Sequence, residues 1–337
     1  MATIHDVAKL AGVAPITVSR VVNNVGYVRE DTRARVEAAI QELQYIPNNS
    51  ARSLRSKKTN TLALIVSDIT NPFWTTVTRG VEDASSDDGL SVILCNTDEK
   101  QAKLENYVNI MLQKQIDGFL IVPISSNPQV VRHIQRRKVP VVVLDRPLHD
   151  VEVDAVWSDN EGGTYQLIKY LIQLGHTRIA MLSGISEIAT SQQRIAGYKR
   201  ALHEHNLTQD DSLLIHGEFK HESGYQVTRQ CMESIQPRPT ALFCGNNLIA
   251  VGAFKALYDL GLRVPEDISV VTFDDMPFTA TQPFVTAAAQ SPYELGWQAA
   301  KLLIAQVSGK EPSGNRQIVL PVELLIRESC TAPNTLS

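Results

Sequence analysis

From Thr61 onward the chain alternates between two kinds of segment, and this alternation limits its fold more than any other feature. Apolar runs of strand length, TLALIVSD, SVILCNT, GFLIVPI and PVVVLDRP, are interleaved with stretches of helical period such as FWTTVTRGVEDASSD and LENYVNIMLQKQ. A second set, AVWSD, RIAMLSG, LLIHGEF, ALFCGN and ISVVTFDD, repeats the pattern. A strand that is apolar at nearly every position must be covered on both faces, which is the condition of a parallel sheet wrapped by helices. About ten such strands make two doubly wound sheets rather than one. A chain of 337 residues has room for two or three domains.

Ligands of such sheets bind beyond the carboxyl ends of the strands. Several strands here end in polar residues: Ser67-Asp68, Asn96-Thr97-Asp98, Asp145-Arg146, Ser158-Asp159, Gly245-Asn246-Asn247 and Asp274-Asp275. Solvated loops alone would also give polar ends. Phe73-Trp74, directly after the first of them, favours a cleft.

Residues 1–46 contain no strand-like run. Three helical segments fit: Ile4 to Ala11, Pro15 to Asn23, and Asp31 to Leu43, the last with Asp31-Thr32 as cap candidates. A helix, then Gly12, then a short second helix is a helix-turn-helix pattern. Gly12 permits the positive φ of the turn, and Pro15 can open the second helix because its missing N–H costs nothing there. Val7, Ala8, Val13, Val18 and Val21-Val22 form the apolar seam. The second helix would present Pro15, Ile16, Thr17 and Arg20 to a DNA major groove. Arg20 suits guanine or phosphate, and Ile16 and the Thr17 methyl suit thymine methyls. Thr17, Ser19 and Asn23 suit phosphates. A helical hairpin with no DNA role fits the same pattern.

Charge is divided unevenly. The net charge is −4, yet residues 1–60 hold nine Lys and Arg against five Asp and Glu, leaving 23 against 31 in the rest. A basic head on an acidic body points to a polyanionic partner for the head. Residues 47–60, PNNSARSLRSKKTN, read as a basic linker. No apolar run reaches the length of a membrane span, and MATIHDVAKL has no secretory pattern, so a cytoplasmic protein is expected. Cys95, Cys231, Cys244 and Cys330 lack metal or disulfide spacing. No strand is followed by G-x-G-x-x-G, and G-x-x-x-x-G-K-[ST] is absent. No enzyme activity, cofactor or metal is expected.

TIHDVAKLAGVAPITVSRVVNN followed by YIPNNSARSL resembles the lactose/galactose repressor family of bacterial transcription regulators. NPFW, DGFLIVP, VVVLDRP, DNEGG, LGHTRIAMLSG, RIAGY, AVGAFKALYDLGLRVPEDISVVTFDD and LLIRES extend the resemblance over essentially the whole chain. It implies an all-α helix-turn-helix head (1–46), a hinge (47–60) and a two-lobed body (61–330) like periplasmic sugar-binding proteins, with a tail at 331–337. The chain would cross between lobes near 158–160, 290–292 and 320–322. The amino lobe is then about 61–158 plus 292–320, and the carboxyl lobe about 160–290 plus 322–330.

Residue by residue, the resemblance implies a hinge helix with Leu54 wedged into the minor groove and Asn48, Ser50, Ala51 and Arg52 facing the groove. Such a basic segment without a core of its own is expected to be disordered away from DNA. In the cleft it implies Phe73 and Trp74 against a sugar face, with Asp145, Arg194 opening the RIAGY helix, Phe219, Asn246, Asp274 and Gln290 around them. Four positions depart from the family pattern: His5 at a phosphate contact, Ala14 at the recognition-helix cap, Asn247 in place of Asp, and VTAAAQS at 285–291.

The function implied is that of an effector-controlled repressor, a homodimer on a pseudo-palindromic operator, with a sugar or sugar acid as effector; Arg146 and Arg194 point to a sugar acid or phosphorylated sugar, and a neutral pentose or hexose is equally compatible. In purine-repressor-type members the ligand is a corepressor, so the sign of the response stays open. A sugar-transport component and a regulator answering mainly to a phosphocarrier protein are the alternatives.

Overall fold

The computed structural model describes residues 2–46, 58–276, 283–310 and 314–334. The chain divides into two compact units, Met1–Thr59 and Asn60–Ser337. The expectations for Asn48, Ser50, Ala51, Arg52 and Leu54 lie outside the described residues.

The first unit is three helices: α1 (Ile4–Ala11), α2 (Pro15–Val22) and α3 (Glu30–Glu42). Thr3 caps α1 in a capping box, its hydroxyl accepting from the Asp6 amide while the Asp6 carboxylate accepts from the Thr3 amide at 2.8 Å. Gly12 ends α1 at φ 65°, a left-handed value that glycine adopts without strain. Val7, Ala8, Ala11, Val18, Val21, Val36 and Ala39 form the core, with Ile4, Val13, Ile40 and Leu43 packed against it. The start of α3 differs from expectation. Arg29 stands at the cap without a side-chain bond, and Asp31 lies inside the first turn. Its charge, with that of Glu30, faces the positive end of the helix dipole, so it contributes there without capping.

The second unit has two six-stranded sheets. The first runs β11-β5-β4-β3-β1-β2, with β1 Thr61–Val66, β2 Ser91–Asn96, β3 Gly118–Ile121, β4 Val141–Leu144, β5 Asp154–Ser158 and β11 Gln317–Leu320. The second runs β12-β10-β9-β8-β6-β7, with β6 Ile179–Ser183, β7 Leu214–His216, β8 Ala241–Cys244, β9 Ser269–Phe273, β10 Thr286–Ala289 and β12 Glu323–Leu325. Helices α4 (Pro72–Ser86), α5 (Gln101–Gln113), α6 (Gln129–Arg136) and α11 (Pro292–Val307) cover the first sheet. Helices α7 (Asn160–Gln173), α8 (Ala189–Glu204), α9 (His221–Ser234) and α10 (Asn247–Asp259) cover the second.

The apolar runs form because alternate residues serve opposite faces. Leu62, Leu64 and Val66 pack under α4 and α11, while Ala63 and Ile65 pack under α5 and α6. In the first lobe, α4 and α11 approach through glycines: a Cβ on Gly80 would lie 2.1 Å from the Tyr293 carbonyl oxygen, and one on Gly296 would lie 2.1 Å from that of Val77.

Three strands escape the sequence reading. β10 is TAAA, whose small side chains carry little β propensity, and β11 and β12 are short strands at sheet edges. β12 also pairs antiparallel with β10, so the second sheet is mixed rather than wholly parallel. LLIHGEF yields only three strand residues. The chain passes from one sheet to the other after β5, after β10 and after β11.

Candidate functional site

Equivalent strands of the two lobes aim matching residues at one cavity. Asp145 follows β4 and Asp274 follows β9, the fourth strand inward from β2 and from β7 respectively. Both take left-handed backbone, φ 66° and 70°. The Asp145 amide donates to Val156 O at 2.8 Å and the Asp274 amide to Ala288 O at 2.9 Å, each on the next strand of its own sheet. A non-glycine residue held at positive φ is rare and costs energy, and here the neighbouring strand fixes it in both lobes.

The cavity between the lobes has a volume of about 260 Å³. All eight residues that the sequence assigns to the cleft line it: Phe73, Trp74, Asp145, Arg194, Phe219, Asn246, Asp274 and Gln290. Phe73 and Trp74 lie on the first turn of α4, which Asn71 caps by accepting from the Phe73 amide at 3.0 Å. Their rings meet edge to face, centroids 4.9 Å apart. They belong to the core of the first lobe as well as to the cavity wall. Phe219 lies against Gly184, where a Cβ would sit 2.3 Å from its ring. Asn246 caps α10 by accepting from the Ile249 amide at 2.9 Å.

Arg194 sits mid-way along α8, which begins at Ala189, so it does not open the helix as expected from sequence. It is buried, and its guanidinium lies 3.8 Å from the Phe273 ring centroid. Nε donates to Asn160 Oδ1 at 2.9 Å, and Nη1 donates to the Gly245 carbonyl. Burial pushes its pKa down, opposed by Asp274 and Asp145. Burial pushes both carboxyls up, and neighbouring arginines oppose it: Arg146 and Arg194 at Asp145, Arg194 at Asp274. The Gln290 amide nitrogen donates to Asp274 Oδ1, while its buried Oε1 has no hydrogen-bond partner among the described residues.

Several contacts of this site carry no local signal in the sequence. Asn71 and Asn247 bond reciprocally across the cleft. Asn71 Nδ2 donates to Asn247 Oδ1 at 3.1 Å, and Asn247 Nδ2 donates to Asn71 Oδ1 at 3.0 Å. Glu99 holds Arg146 through both oxygens, at 2.6 and 2.8 Å. Phe273 and Asn160 set the position of Arg194. Asn247 and Arg146 show in sequence as polar strand ends and Asn71, an Asn before Pro at a helix start, as a cap; Glu99 and the contacts joining these residues do not.

In the helical head, α2 starts at Pro15 after Ala14, which makes no side-chain cap bond. His5, Ile16 and Arg20 are exposed, whereas Pro15, Thr17, Ser19 and Asn23 are half-buried. Asn23 Nδ2 donates to the Ser19 carbonyl at 2.7 Å and lies 3.3 Å from the Ser19 hydroxyl. Both residues thus take part in the end of α2, alongside the phosphate contacts expected of them. The outward face at the start of α2 is thus apolar and methyl-rich, with one guanidinium a turn further on.

Comparisons with known proteins agree with this division. Residues 3–48 match the family described as bacterial regulatory proteins, lacI family. Residues 59–328 match periplasmic binding proteins and sugar binding domain of LacI family. The HTH-type transcriptional repressor PurR of Vibrio atlanticus is 36% identical over 313 residues, 92% of this chain and 93% of that protein. The structure of the Lac repressor dimer bound to operator and the anti-inducer ONPF is 29% identical with a TM-score of 0.85, covering 98% of this chain and 99% of that one. A LacI family transcriptional regulator from Enterococcus faecium with bound ribose is 30% identical with a TM-score of 0.71, covering 81% of this chain and 99% of that one.

Proposed function

The chain belongs to the LacI family, whose members are DNA-binding transcription regulators and not enzymes, and from that premise we propose that it is a repressor whose operator affinity is set by an uncharged monosaccharide in the interlobe cavity. The observation that carries this reading is the composition of the cavity. Phe73, Trp74 and Phe219 offer apolar ring faces, and Asp145, Asp274, Asn246 and Gln290 offer hydrogen-bonding edges. A sugar ring has the same division, with C–H faces and a hydroxyl rim. Gln290 Oε1, without a hydrogen-bond partner among the described residues, offers an acceptor to a ligand hydroxyl.

Size and charge narrow the class. About 260 Å³ lies just under the roughly 300–1,000 Å³ usual for small-molecule sites, which favours one ring over two. Both arginines already have protein partners: Arg146 is paired with Glu99, and Arg194 is bonded to Asn160 and Gly245 and stacked on Phe273. Of the classes left open by sequence, that favours a neutral sugar over a sugar acid or phosphorylated sugar. Pentoses come first, since the regulator from Enterococcus faecium is described with ribose.

In this reading the protein acts as a homodimer on a pseudo-palindromic operator in the cytoplasm, with Ile16, Thr17 and Arg20 at base edges and Leu54 as the minor-groove wedge. The effector changes operator affinity because it binds the two arrangements of the body unequally, and operator must change effector affinity by the same factor. No helix among the described residues is long and apolar enough to cross a membrane.

A thermal-shift panel of neutral pentoses, neutral hexoses, sugar acids and purines tests the reading. A ligand at 100 times its Kd adds about 2.7 kcal/mol of stability. The neutral pentoses should respond, and Asp274→Ala should abolish the response while operator binding persists. A response confined to purines would replace the sugar by a corepressor-type ligand.

A further inference from the structure

We infer that Glu99 is the charge-selectivity residue of the cleft: by neutralising Arg146 it keeps the cavity for uncharged ligands and turns away carboxylates and phosphates. This deepens the reading of the cavity as the effector site and rests on it for what normally binds there.

Glu99 reaches the cavity by an unusual backbone path. It stands in the turn between β2 and α5, and both it and Asp98 adopt left-handed backbone, φ 55° and 51°. Two consecutive non-glycine residues in that region are costly and persist only where surroundings hold them. The hold is visible: the Asp98 carboxylate accepts from Asn96 Nδ2 at 2.6 Å and from Lys103. The turn thereby sends Glu99 inward toward β4.

There it meets Arg146 as a fork. Glu99 Oε1 accepts from Nη2 at 2.6 Å and Oε2 from Nη1 at 2.8 Å. Nη1 also donates to the Pro123 carbonyl at 2.9 Å. The side chains are only 15% and 5% exposed, so water screens the pair little. Burial alone would lower the Arg146 pKa, but Glu99 together with Asp145 outweighs it and raises the pKa, leaving the guanidinium charged. The bidentate edge, which a ligand carboxylate or phosphate would need, is therefore occupied from within the chain. The remaining Nε has no hydrogen-bond partner among the described residues and lies 3.6 Å from Asp145 Oδ2.

The rest of the field points the same way. Arg194 is stacked on Phe273, bonded to Asn160 and Gly245, and faced by Asp145 and Asp274. Around the cavity six acids, Asp68, Asp98, Glu99, Asp145, Glu218 and Asp274, face four bases, Lys100, Arg146, Arg194 and Lys220. An anion entering would meet at least as many acids as bases, with the Arg146 fork already filled by Glu99, in a setting where charges act at low dielectric. Removing the Glu99 charge reverses this locally, because Arg146 then keeps only Asp145, 3.6 Å from its Nε, and has no carboxylate on its Nη1–Nη2 edge.

Inorganic phosphate is the probe, titrated against the full chain by thermal shift and calorimetry at constant ionic strength. Wild type should show no more response than to chloride. Glu99→Gln should gain about tenfold or more in phosphate affinity, as expected for the loss of one partly screened negative charge. Adding Arg146→Met to it should remove the gain, which excludes binding at the basic head. Glu99→Ala guards against a Gln variant that fails to fold: acetate, and not chloride, should restore its melting temperature.

Wild type binding phosphate as tightly as Glu99→Gln would overturn the inference. So would folded variants that gain nothing, or a Glu99→Ala protein that acetate does not rescue. D-ribose and D-ribonate run in parallel separate the two readings. If wild type ignores every neutral sugar while phosphate enters only the Glu99 variants, the sugar reading fails and the role of Glu99 stands. Equal response of wild type to D-ribose and D-ribonate overturns the role of Glu99 itself.

Discussion

The substitution Asn247→Asp tests how strongly the two lobes hold each other. Each amide of the Asn71–Asn247 pair is pinned by its own helix. Asn71 Oδ1 accepts from the Phe73 amide at 3.0 Å, and Asn247 Oδ1 from the Leu248 amide at 2.8 Å. Neither side chain can flip without losing that bond. The introduced carboxylate would keep the acceptor and lose the donor, placing an oxygen near the position now occupied by Nδ2, 3.0 Å from Asn71 Oδ1.

The lost bond is worth about 0.5–1.5 kcal/mol, and a buried acceptor left unmatched costs about 1–3 kcal/mol. Against this, the surviving bond becomes charge-assisted, and the start of α10 favours a negative charge by about 0.3–1 kcal/mol. The loss wins by about 1–2 kcal/mol, a factor of roughly 5–30 in the balance between closed and open lobes. That cost falls on the contact between lobes and not on either lobe alone. Spin labels on the exposed Glu105 of α5 and Glu222 of α9 should therefore report a wider interlobe distance at pH 7, with thermal stability little changed. Burial raises a carboxyl pKa, and the introduced carboxyl regains a donor once protonated, so mild acid should narrow the distance again. An unchanged distance distribution refutes the reasoning. So does a double-mutant cycle with Asn71→Ala whose coupling lies within about 0.3–0.5 kcal/mol of zero.

Gly296→Ala should lower the urea midpoint of the body by an amount corresponding to about 1–3 kcal/mol, because the added methyl meets the Val77 backbone oxygen; wild-type stability would show that α4 and α11 part freely. His176 is buried between Thr240 Oγ1 at 2.8 Å and the Thr331 carbonyl at 2.9 Å, and burial depresses its pKa. Its contribution is complete above the ordinary histidine pKa and is lost as pH falls below that value toward the depressed folded one, so urea midpoints should drop in mild acid and His176→Gln should flatten that dependence. Arg20→Ala should cost about 1–3 kcal/mol of discrimination between operator and random DNA if the guanidinium reads a base; equal loss on both, in a binding titration, would assign it to phosphate alone.

What the sequence determined by itself is what short-range physics controls. Doubly covered strands must be apolar at successive positions, so β1, β3, β4 and β9 are legible in TLALIV, GFLI, VVVL and SVVTF. Gly12 and Pro15 can take positions that other residues fill only at a cost, so the helical head is legible too. Strand ends mark a cleft because the sheet topology sends them all to one side, which is why Asp145, Asn246 and Asp274 could be named before any coordinates.

The tertiary structure decided which of these groups are already spoken for. Glu99 and Arg146 are 47 residues apart, and Asn71 and Asn247 are 176 apart. No period or spacing joins such pairs, because they meet only where loops from different strands converge. β10 and β12 are strands because of the neighbours they pair with, not because of TAAA or ELL. The sequence reveals two arginines near a cleft; only the fold reveals that Glu99 neutralises Arg146 and that Asn160, Gly245 and Phe273 hold Arg194, since such partnership depends on distance in space and on burial, and neither is written along the chain.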